Sequence, residues 1–460
     1  MKALTVDLCV IGAGSGGLSV AAGAVQMGAR VALIEAHLMG GDCLNHGCVP
    51  SKTLLAAGAD AWRSGAPADY SAAKDRVAAV IAAIAPHDSQ DRFEQLGVTV
   101  IRARGEFVSP TQLVAGGTTI TARRFVIATG SRPLVPPIPG LADVPCLTNE
   151  TLFALREKPD HLLIIGGGPI GIEMAQAHRR LGCKVTVIEA ARALGRDDPE
   201  LAAVVLARLQ AEGVDIRERQ AVTGVAGTTG AITLTLGDGT GVTGSHLLVA
   251  VGRKANTDLG LEAAGVAVDR GLIRVDARLR TSNRRIFAIG DVAGQLQFTH
   301  VAAYHAGIVI RQALFGLKAT ASARAVPWVT FTDPELAQVG LTEAGAQARH
   351  GARLSVVRFR FDGVDRAIAT GKTDGLIKVM VVGGRPVGAS IVGAEAGELI
   401  ALWALAIANN LGMKAIANTI LPYPTLNEVS KRAAGAYFSP KLFDSPMVKR
   451  VARLVQNWLP

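Results

Sequence analysis

The pattern of apolar and polar positions repeats one unit twice in the first half of the chain. An apolar run at 8–11 leads into a glycine-rich turn, then an alanine-rich stretch, then a second apolar run at 31–34. The same succession returns with apolar runs at 162–165 and 185–188. Short apolar runs bounded by glycine predict buried strands, and strands that alternate with helices predict a parallel sheet. The two stretches therefore predict two α/β units of one design.

Both units carry the glycine pattern GxGxxG, and in both the second strand ends in an acidic residue. The residues that recur at one constant offset are Gly12, Gly14, Gly17 and Glu35, then Gly166, Gly168, Gly171 and Glu189. A lone GxGxxG is a weak signal, but here each copy follows a predicted strand and opens a predicted helix. Such glycines let the backbone approach a pyrophosphate, and the acid accepts hydrogen bonds from a ribose diol. The repetition predicts two dinucleotide sites.

After residue 326 the pattern changes, and no further glycine-rich nucleotide motif occurs. Alternating apolar runs precede stretches with helical spacing, which predicts a separate α+β domain. The predicted elements there are strands 376–382 and 387–392 and helices 397–411 and 427–436. Between the repeats, 57–95 predicts a pair of alanine-rich helices, and the proline-rich run 133–145 predicts a linker.

Composition narrows the class of protein. The 460 residues exceed one ordinary core and predict several domains. The net charge is +10, but the basic residues are scattered and no nucleic-acid motif occurs, so we expect no nucleic-acid partner. Asp7 breaks the only N-terminal apolar run, and no stretch is long enough to span a membrane. These features predict a cytoplasmic protein.

Two of the five cysteines, Cys43 and Cys48, stand just before a predicted helix that has Pro50 at its first position. A helix N-terminus stabilises a thiolate, so we expect a lowered pKa for Cys48. Gly47 would let the chain turn so that the two sulfurs bridge, and such a bridge is easily reduced. Two unpaired thiols and half of a zinc site are the alternatives, although zinc sites usually use C-x2-C pairs. The sparse, odd cysteine set is not a secreted disulfide framework, and Cys9 and Cys183 are expected to be inert core residues.

Taken together, these motifs match a known family over essentially the whole chain. The chain resembles the flavin-dependent pyridine nucleotide–disulfide oxidoreductases, which include dihydrolipoamide dehydrogenase, glutathione reductase and mercuric reductase. The stretches that fall in the family order are 40–52, both GxGxxG units, Ala128-Thr129-Gly130, Gly290-Asp291 and Pro424-Thr425-x-x-Glu428.

The resemblance implies a role for each of these residues. The first glycine motif, Glu35, the segment from Ala128 to Gly130, Gly290 and Asp291 would bind FAD, with Asp291 on the ribityl chain. The second glycine motif, Glu189 and Gly252 would bind NAD(H), which Glu189 favours over NADP(H), although Arg192 and Arg196 follow closely. Cys48 would be the thiol nearest the flavin and Cys43 the outer thiol, with Lys52 near the flavin and paired with Glu173.

The resemblance also implies the architecture and the assembly. The fold class would be α/β, with two Rossmann-like dinucleotide-binding domains and a C-terminal α+β dimerisation domain. The predicted domains are 1–149 for FAD and the redox disulfide, 150–276 for NAD(P), 277–325 completing the FAD site, and 326–460 at the interface. The family forms homodimers in which the Pro-Thr-x-x-Glu segment of each subunit reaches the dithiol of the other.

One site residue separates this chain from the thiol-oxidising members. Those enzymes carry a histidine base just before Pro-Thr-x-x-Glu, where this chain has Tyr423, followed by Glu428. Mercuric reductases also carry a tyrosine there, but they have a C-terminal cysteine pair, and this chain has no cysteine after Cys183. We therefore expect an FAD enzyme that passes electrons from NAD(P)H through the Cys43–Cys48 disulfide to an unidentified acceptor. The alternatives are a diaphorase, quinone or metal-ion reductase that acts directly from the flavin, and a redox sensor.

The last stretch of the chain is amphipathic. The apolar residues recur at helical spacing, with basic residues on the other face: Met447, Val448, Val451, Leu454, Val455 and Trp458 against Lys449, Arg450 and Arg453. This pattern favours a helix packed on the body of the dimer. The alternative is a basic helix that docks on a membrane or a partner.

Overall fold

The computed structural model describes residues 2–294 and 296–459. It contains two compact units, the first made of Met1–Ala190 and Arg217–Ser322, the second of Ala191–Ile216 and Ala323–Pro460. Within the described residues, no helix is both long and apolar enough to cross a membrane.

The α-helices are distributed over the whole chain. They are α1 (Ser15–Gln26), α2 (Gly41–Asn45), α3 (Cys48–Ser64), α4 (Tyr70–Asp88), α5 (Gln90–Gln95), α6 (Asn149–Leu152), α7 (Pro169–Arg180), α8 (Pro199–Ala211), α9 (Thr299–Phe315), α10 (Glu343–His350), α11 (Asp365–Ala369), α12 (Ala396–Ala408), α13 (Met413–Asn418), α14 (Glu428–Phe443) and α15 (Pro446–Trp458). Short 3-10 helices lie at Leu141–Asp143, Gly290–Ala293, Gly351–Arg353 and Phe361–Gly363.

The strands form sheets within each unit. They are β1 (Lys2–Ile11), β2 (Val31–Glu35), β3 (Thr99–Arg102), β4 (Gly105–Ser109), β5 (Gln112–Ala115), β6 (Thr118–Ile127), β7 (Ser131–Pro133), β8 (His161–Ile165), β9 (Lys184–Glu189), β10 (Asp215–Glu218), β11 (Val222–Thr228), β12 (Ala231–Leu236), β13 (Gly241–Gly244), β14 (His246–Val249), β15 (Arg253–Ala255), β16 (Val268–Asp269), β17 (Leu272–Ile273), β18 (Ile286–Ala288), β19 (Pro327–Thr330), β20 (Glu335–Gly340), β21 (Leu354–Arg360), β22 (Leu376–Val382) and β23 (Arg385–Gly393).

The first repeat builds the main sheet of the first unit. Its strands follow the order β3-β2-β1-β6-β5-β4, with β18 also paired to β6. Strands β1, β2, β3, β6 and β18 are parallel, and β4 and β5 add an antiparallel edge. All five residues of β2 are buried, which is expected for a parallel strand covered on both faces. The prediction of a parallel sheet from the first repeat is confirmed.

The second repeat builds a smaller sheet by the same rule. Strands β9, β8 and β14 run parallel in that order, and α7 follows β8 directly. A three-stranded antiparallel sheet, β11-β12-β13, packs its apolar face into the same core as β8 and β14. The glycine-rich loops of both repeats therefore lie at the carboxyl ends of parallel strands, where doubly wound sheets bind their ligands.

The second unit is α+β, as its sequence pattern predicts. Five antiparallel strands follow the order β19-β20-β23-β22-β21, and α12 and α14 share a core with them around the fully buried Trp403. The Trp403 indole N–H donates to Ser430 Oγ at 3.1 Å, so its polar group is satisfied inside the core. Lys378 on β22 is also buried, and Asp198, Glu200 and Glu343 surround its ammonium at 2.7–2.8 Å.

Several predicted boundaries are wrong, each for a local reason. Helix α3 begins at Cys48, so Pro50 is its third residue rather than its first. The predicted helix pair at 57–95 contains a third helix, α5, because Ser89 ends α4 and its hydroxyl caps α5. Helix α14 continues to Phe443, beyond its predicted end at residue 436.

Candidate active site

The first glycine loop brings three backbone segments so close that side chains cannot fit between them. Gly12 has φ of +104°, and a Cβ there would lie 2.4 Å from the carbonyl oxygen of Ala128. A Cβ on Gly17 would lie 1.8 Å from the carbonyl oxygen of Gly12, and one on Gly41 would lie 2.6 Å from Gly14 Cα. The loop is thus a bare backbone surface at the N-terminus of α1, which suits a pyrophosphate.

Glu35 accepts hydrogen bonds from the backbone of this loop and has further acceptor positions for a ligand. Its Oε2 accepts a hydrogen bond from the Ala13 amide at 2.6 Å, and its Oε1 accepts one from the His37 amide at 2.6 Å. An ionised carboxylate has about four acceptor positions, so two remain for a diol. The bare loop and this partly used carboxylate together fit the adenosine and pyrophosphate portions of FAD.

The second glycine loop has the same construction. Gly166 has φ of +109°, and a Cβ there would lie 2.5 Å from the carbonyl oxygen of Ala250. A Cβ on Gly171 would lie 2.0 Å from the carbonyl oxygen of Gly166, as in the first copy. The Gly167 amide donates to Glu189 Oε2 at 2.7 Å, which corresponds to the bond between Ala13 and Glu35. The two predicted dinucleotide sites therefore share loop, helix start and acid.

The segment from Ala128 to Gly130 is tied to the chain that leaves the second repeat. The Thr129 hydroxyl donates to the carbonyl oxygen of Asn256 at 2.7 Å, and the Asn256 side-chain amide donates back to the carbonyl oxygen of Thr129 at 2.9 Å. Gly130 and Gly252 both have positive φ, +65° and +141°. Gly130 lets the chain turn between β6 and β7, and Gly252 lets it turn between β14 and β15. This reciprocal pair fixes the position of β7 beside β15.

A polar network that the sequence motifs do not reveal surrounds Asp291. The Ser131 hydroxyl donates to Asp291 Oδ2 at 2.5 Å, and the Arg253 guanidinium donates to Ser131 Oγ at 2.7 Å. Arg253 also lies 3.2 Å from Asp42 Oδ1 and 3.7 Å from Asp291 Oδ2, so it bridges two acids. Burial raises the pKa of Asp291, and the Ser131 hydrogen bond and Arg253 oppose that rise. Beside it, the Gly290 amide donates to His305 Nδ1 at 3.3 Å.

The structure brings the two candidate redox cysteines together. Cys43 lies in α2, Cys48 is the first residue of α3, and both are free thiols whose side chains hydrogen bond to each other. Cys48 Sγ also lies 3.5 Å from Thr299 Oγ1. The bond with Cys43, then the bond with Thr299 and the charge of Lys52, lower the pKa of Cys48 to about 6, against burial and the charge of Asp42. The pKa of Cys43 is raised, chiefly because its thiol hydrogen bonds to Cys48. Near neutral pH the pair therefore holds one thiolate and one thiol.

Lys52 and Glu173 form an ion pair, as the family resemblance implies. Lys52 Nζ lies 2.8 Å from Glu173 Oε2, and the Glu173 side chain is only 5% exposed. Lys52 belongs to α3, one turn after Cys48, and Glu173 belongs to α7, which opens from the second glycine loop. A partly buried ion pair thus joins the dithiol helix to the helix of the second nucleotide motif.

The remaining candidates, Tyr423 and Glu428, lie in the second unit. The Tyr423 hydroxyl donates to Asp365 Oδ2 at 2.9 Å, and this bond raises the pKa of Tyr423. Arg432 lies 3.7 Å from Asp365 Oδ2 and 3.8 Å from Glu428 Oε1, so it links Asp365 to Glu428. The other oxygen of Glu428, Oε2, is buried and has no hydrogen-bond partner among the described residues. Asp365 and Arg432 have no sequence signal, because they meet Tyr423 only through folding.

Two cysteines behave as the sequence predicts. Cys9 and Cys183 are fully buried, and burial raises the pKa of both, for Cys183 to about 11. They are therefore inert core thiols at neutral pH.

Among the residues that the structure describes, no group of three or more His, Cys, Asp or Glu side chains could hold a metal ion.

Comparison with known proteins agrees with this geometry. The profile described as "Pyridine nucleotide-disulphide oxidoreductase" matches residues 6–306. The profile of the dimerisation domain of the same family matches residues 326–434. The two matches together include both glycine motifs, both cysteines and the Tyr423 segment.

Individual relatives cover nearly the whole chain. A mercuric reductase of Acidithiobacillus ferrooxidans is 36% identical over 94% of this chain and 82% of its own length. A dihydrolipoyl dehydrogenase of Chlamydia muridarum is 36% identical over 93% of this chain and 96% of its own length. The Cu(II) complex of the HOCl-induced flavoprotein disulfide reductase RclA of Escherichia coli has a TM-score of 0.87, with 31% identity over 94% of this chain and 99% of that chain.

Proposed function

The chain belongs to the pyridine nucleotide–disulphide oxidoreductase family of FAD-dependent enzymes, and we propose that it reduces a soft metal ion with NADH through Cys43 and Cys48. The observation that carries the choice of acceptor is the hydrogen bond from the Tyr423 hydroxyl to Asp365. The thiol-oxidising members of the family carry a histidine base at this position, whereas the Tyr423 hydroxyl is a protonated hydrogen-bond donor.

FAD, when bound, takes a hydride from the nicotinamide and passes an electron pair to sulfur. The first glycine loop and Glu35 would hold its adenosine and pyrophosphate, and the half-buried Asp291 would accept a hydrogen bond from its ribityl chain. Ser131 and Arg253 orient the Asp291 carboxylate for that role. These residues supply position and charge, because the redox chemistry is that of the cofactor.

The second glycine loop would bind NADH rather than NADPH. Glu189 stands at the end of β9, and its Oε2 already accepts from Gly167. A carboxylate in this place accepts a hydrogen bond from the ribose 2′-hydroxyl and repels a 2′-phosphate. The same construction around Glu35 supports the assignment, since both loops would then hold the diol of an adenosine ribose.

Cys43 and Cys48 would carry the electron pair as a dithiol and return to a disulfide when they lose it. Cys48 is the thiolate, and Lys52 stabilises its charge. Cys43 keeps its proton at neutral pH because its pKa is raised. It would lose that proton when it binds an electrophile.

A thiol or disulfide substrate suits this site poorly. Oxidising a dithiol requires a base to remove its proton, because only the thiolate attacks a disulfide. The pKa of Tyr423 is raised above its usual value, so the hydroxyl stays protonated, and no histidine follows His350 in the chain. Glu428 would otherwise orient such a base.

A soft metal ion needs no such base. Thiolates select ions of this kind, and two adjacent sulfurs can bind one directly. The comparisons support the choice, because mercuric reductases are among the relatives and RclA has a Cu(II) complex. One NADH would yield NAD⁺, one proton and two electrons, which reduce one Hg(II) to the metal or two Cu(II) to Cu(I).

We also infer a homodimer formed by the dimerisation domain that matches 326–434. The Tyr423 segment of each subunit would then face the dithiol of the other.

An acceptor screen tests the function. Purified holoenzyme should oxidise NADH faster with Hg(II) or Cu(II) than with lipoamide, glutathione disulfide or a quinone. Cys43→Ala should abolish metal-dependent turnover, and a reductive titration of Cys48→Ser should take up about two electrons fewer than the wild type. Quinone turnover that survives Cys43→Ala would instead establish a reductase that acts from the flavin.

A further inference from the structure

The C-terminal helix α15 is the one α-helix of the described chain in which no residue is buried. Its start is specified locally, because Ser445 Oγ accepts from the Val448 amide at 3.3 Å and Pro446 occupies the first turn. Its apolar residues are nevertheless far more exposed than those of an ordinary surface helix, with Met447 at 73% and Trp458 at 84%. The helix therefore forms without a surface of its own chain to pack on.

The two faces of α15 are sharply separated. At about 100° per residue, the apolar side chains occupy one arc of about 120°, and the cations and amides occupy the opposite side. The apolar arc consists of Leu454, Met447, Trp458, Val451, Val455 and Val448. The opposite side consists of Gln456, Lys449, Arg453, Asn457 and Arg450. Over its 13 residues the helix presents one apolar stripe about 20 Å long.

The polar face carries charge of one sign only. Lys449, Arg450 and Arg453 lie at i, i+3 and i, i+4 spacings, where like charges destabilise a helix by a few tenths of a kcal/mol. No acidic residue occurs between Ser445 and Pro460, and none of the three cations forms an ion pair within residues 2–294 and 296–459. The polar face therefore presents three cations, with no acid of the same helix beside them, to a negatively charged surface.

We propose that α15 docks in the plane of a membrane surface that contains anionic lipid. The apolar stripe would enter the boundary between headgroups and acyl chains, and Trp458 would lie at the interface. The cations on the opposite side would lie within about 10 Å of the anionic headgroups, close enough to be attracted by the surface charge. A contact with a second copy would use the apolar stripe and not the basic face, whereas an anionic membrane uses both. The dimerisation profile of the family also ends at residue 434, before α15 begins.

Co-sedimentation of the full-length holoenzyme with vesicles tests the proposal. The protein should bind vesicles of phosphatidylcholine mixed with phosphatidylglycerol, and high salt or pure phosphatidylcholine should weaken that binding. Arg453→Gln should lower the binding constant about fivefold, since one cation near an anionic surface contributes about 1 kcal/mol. Leu454→Asn should lower it about tenfold or more, because it removes an exposed leucine that the membrane would bury.

Gln456→Asn is the matched control for Leu454→Asn. It places the same residue in the same helix on the polar side, and it should bind vesicles like the wild type. Failure of the wild type to bind the anionic vesicles overturns the proposal, as does equal binding by Leu454→Asn. Sedimentation velocity completes the test: a dimer that dissociates in Leu454→Asn would assign the stripe to a second copy and would also overturn it. If Leu454→Asn and Gln456→Asn form the same dimer and only Leu454→Asn loses vesicle binding, membrane docking is supported.

Discussion

The guanidinium of Arg253 lies 3.2 Å from Asp42 Oδ1, although Asp42 follows the first repeat of the chain and Arg253 follows the second. Asp42 directly precedes Cys43, and its negative charge raises the pKa of Cys48. The Arg253 side chain is 12% exposed and the Asp42 side chain is 36% exposed, so solvent screens this ion pair only in part. Arg253 therefore shields the thiolate from a neighbouring carboxylate.

Replacing Arg253 should make Cys48 harder to ionise. In Arg253→Met the charge of Asp42 is no longer balanced, and the pKa of Cys48 should rise above about 6. The rate of alkylation by iodoacetamide as a function of pH measures this pKa directly and does not depend on turnover. Arg253→Lys keeps the charge and should give a smaller shift; an alkylation profile in Arg253→Met identical to that of the wild type would show that Arg253 plays no such part.

The Lys52–Glu173 pair predicts opposite effects for its two members. Lys52→Met removes a positive charge that lowers the pKa of Cys48, so that pKa should rise. Glu173→Gln removes the carboxylate that neutralises Lys52 at 2.8 Å, so the pKa of Cys48 should fall. The same alkylation assay compares them, and shifts in one direction would contradict the electrostatic argument.

The ionisation of Cys48 also links stability to pH. Its pKa is lowered in the fold from an ordinary value of 9.0 to about 6, so the thiolate favours the folded state. That stabilisation is complete above pH 9 and is lost as pH falls to about 6. Urea unfolding of the reduced holoenzyme at several pH values should show this loss in the wild type. Cys48→Ser is the control, and an equal pH dependence in that variant would assign the effect to other groups.

Tyr423 should control which acceptor the enzyme prefers. General-base catalysis contributes about 10²–10⁴-fold, so lipoamide turnover should run slower by a factor of that order than in family members that carry a histidine at this position. Tyr423→His should raise thiol–disulfide activity, because its imidazole can take a proton at neutral pH. Tyr423→Phe, which removes the donor to Asp365 but keeps the ring, should not raise it. Efficient lipoamide turnover by the wild type would refute the assignment.

Glu189 and Glu35 form a matched pair for cofactor selection. Glu189→Gln removes the charge that repels a 2′-phosphate, so the ratio of kcat/KM for NADH to that for NADPH should fall. Glu35→Gln, at the equivalent place in the first repeat, should weaken FAD retention and leave that ratio unchanged. Steady-state kinetics and flavin absorbance after gel filtration measure the two effects. A wild type that prefers NADPH would disprove the role of Glu189.

The sequence by itself determined the two dinucleotide loops, because their requirements are local. Gly12 and Gly166 need positive φ and have a carbonyl oxygen where a Cβ would stand, so their identity reveals the turn. The acids Glu35 and Glu189 follow at a fixed interval because one helix and one strand separate them from the loop. The helix start beside Cys48 also follows from local pattern, although its exact first residue depended on backbone geometry.

Only the tertiary structure decided which distant groups tune those sites. Thr299 reaches Cys48 across 251 positions of sequence, and Arg253 reaches Asp42 because β15 packs beside β7. Lys378 is a further example. A lysine within a strand predicts an exposed side chain, whereas Lys378 is buried among three carboxylates. Periodicity records the preference of each residue for the interior or the surface. The partner that a charge finds there depends on how separate elements pack, and no local pattern carries that information.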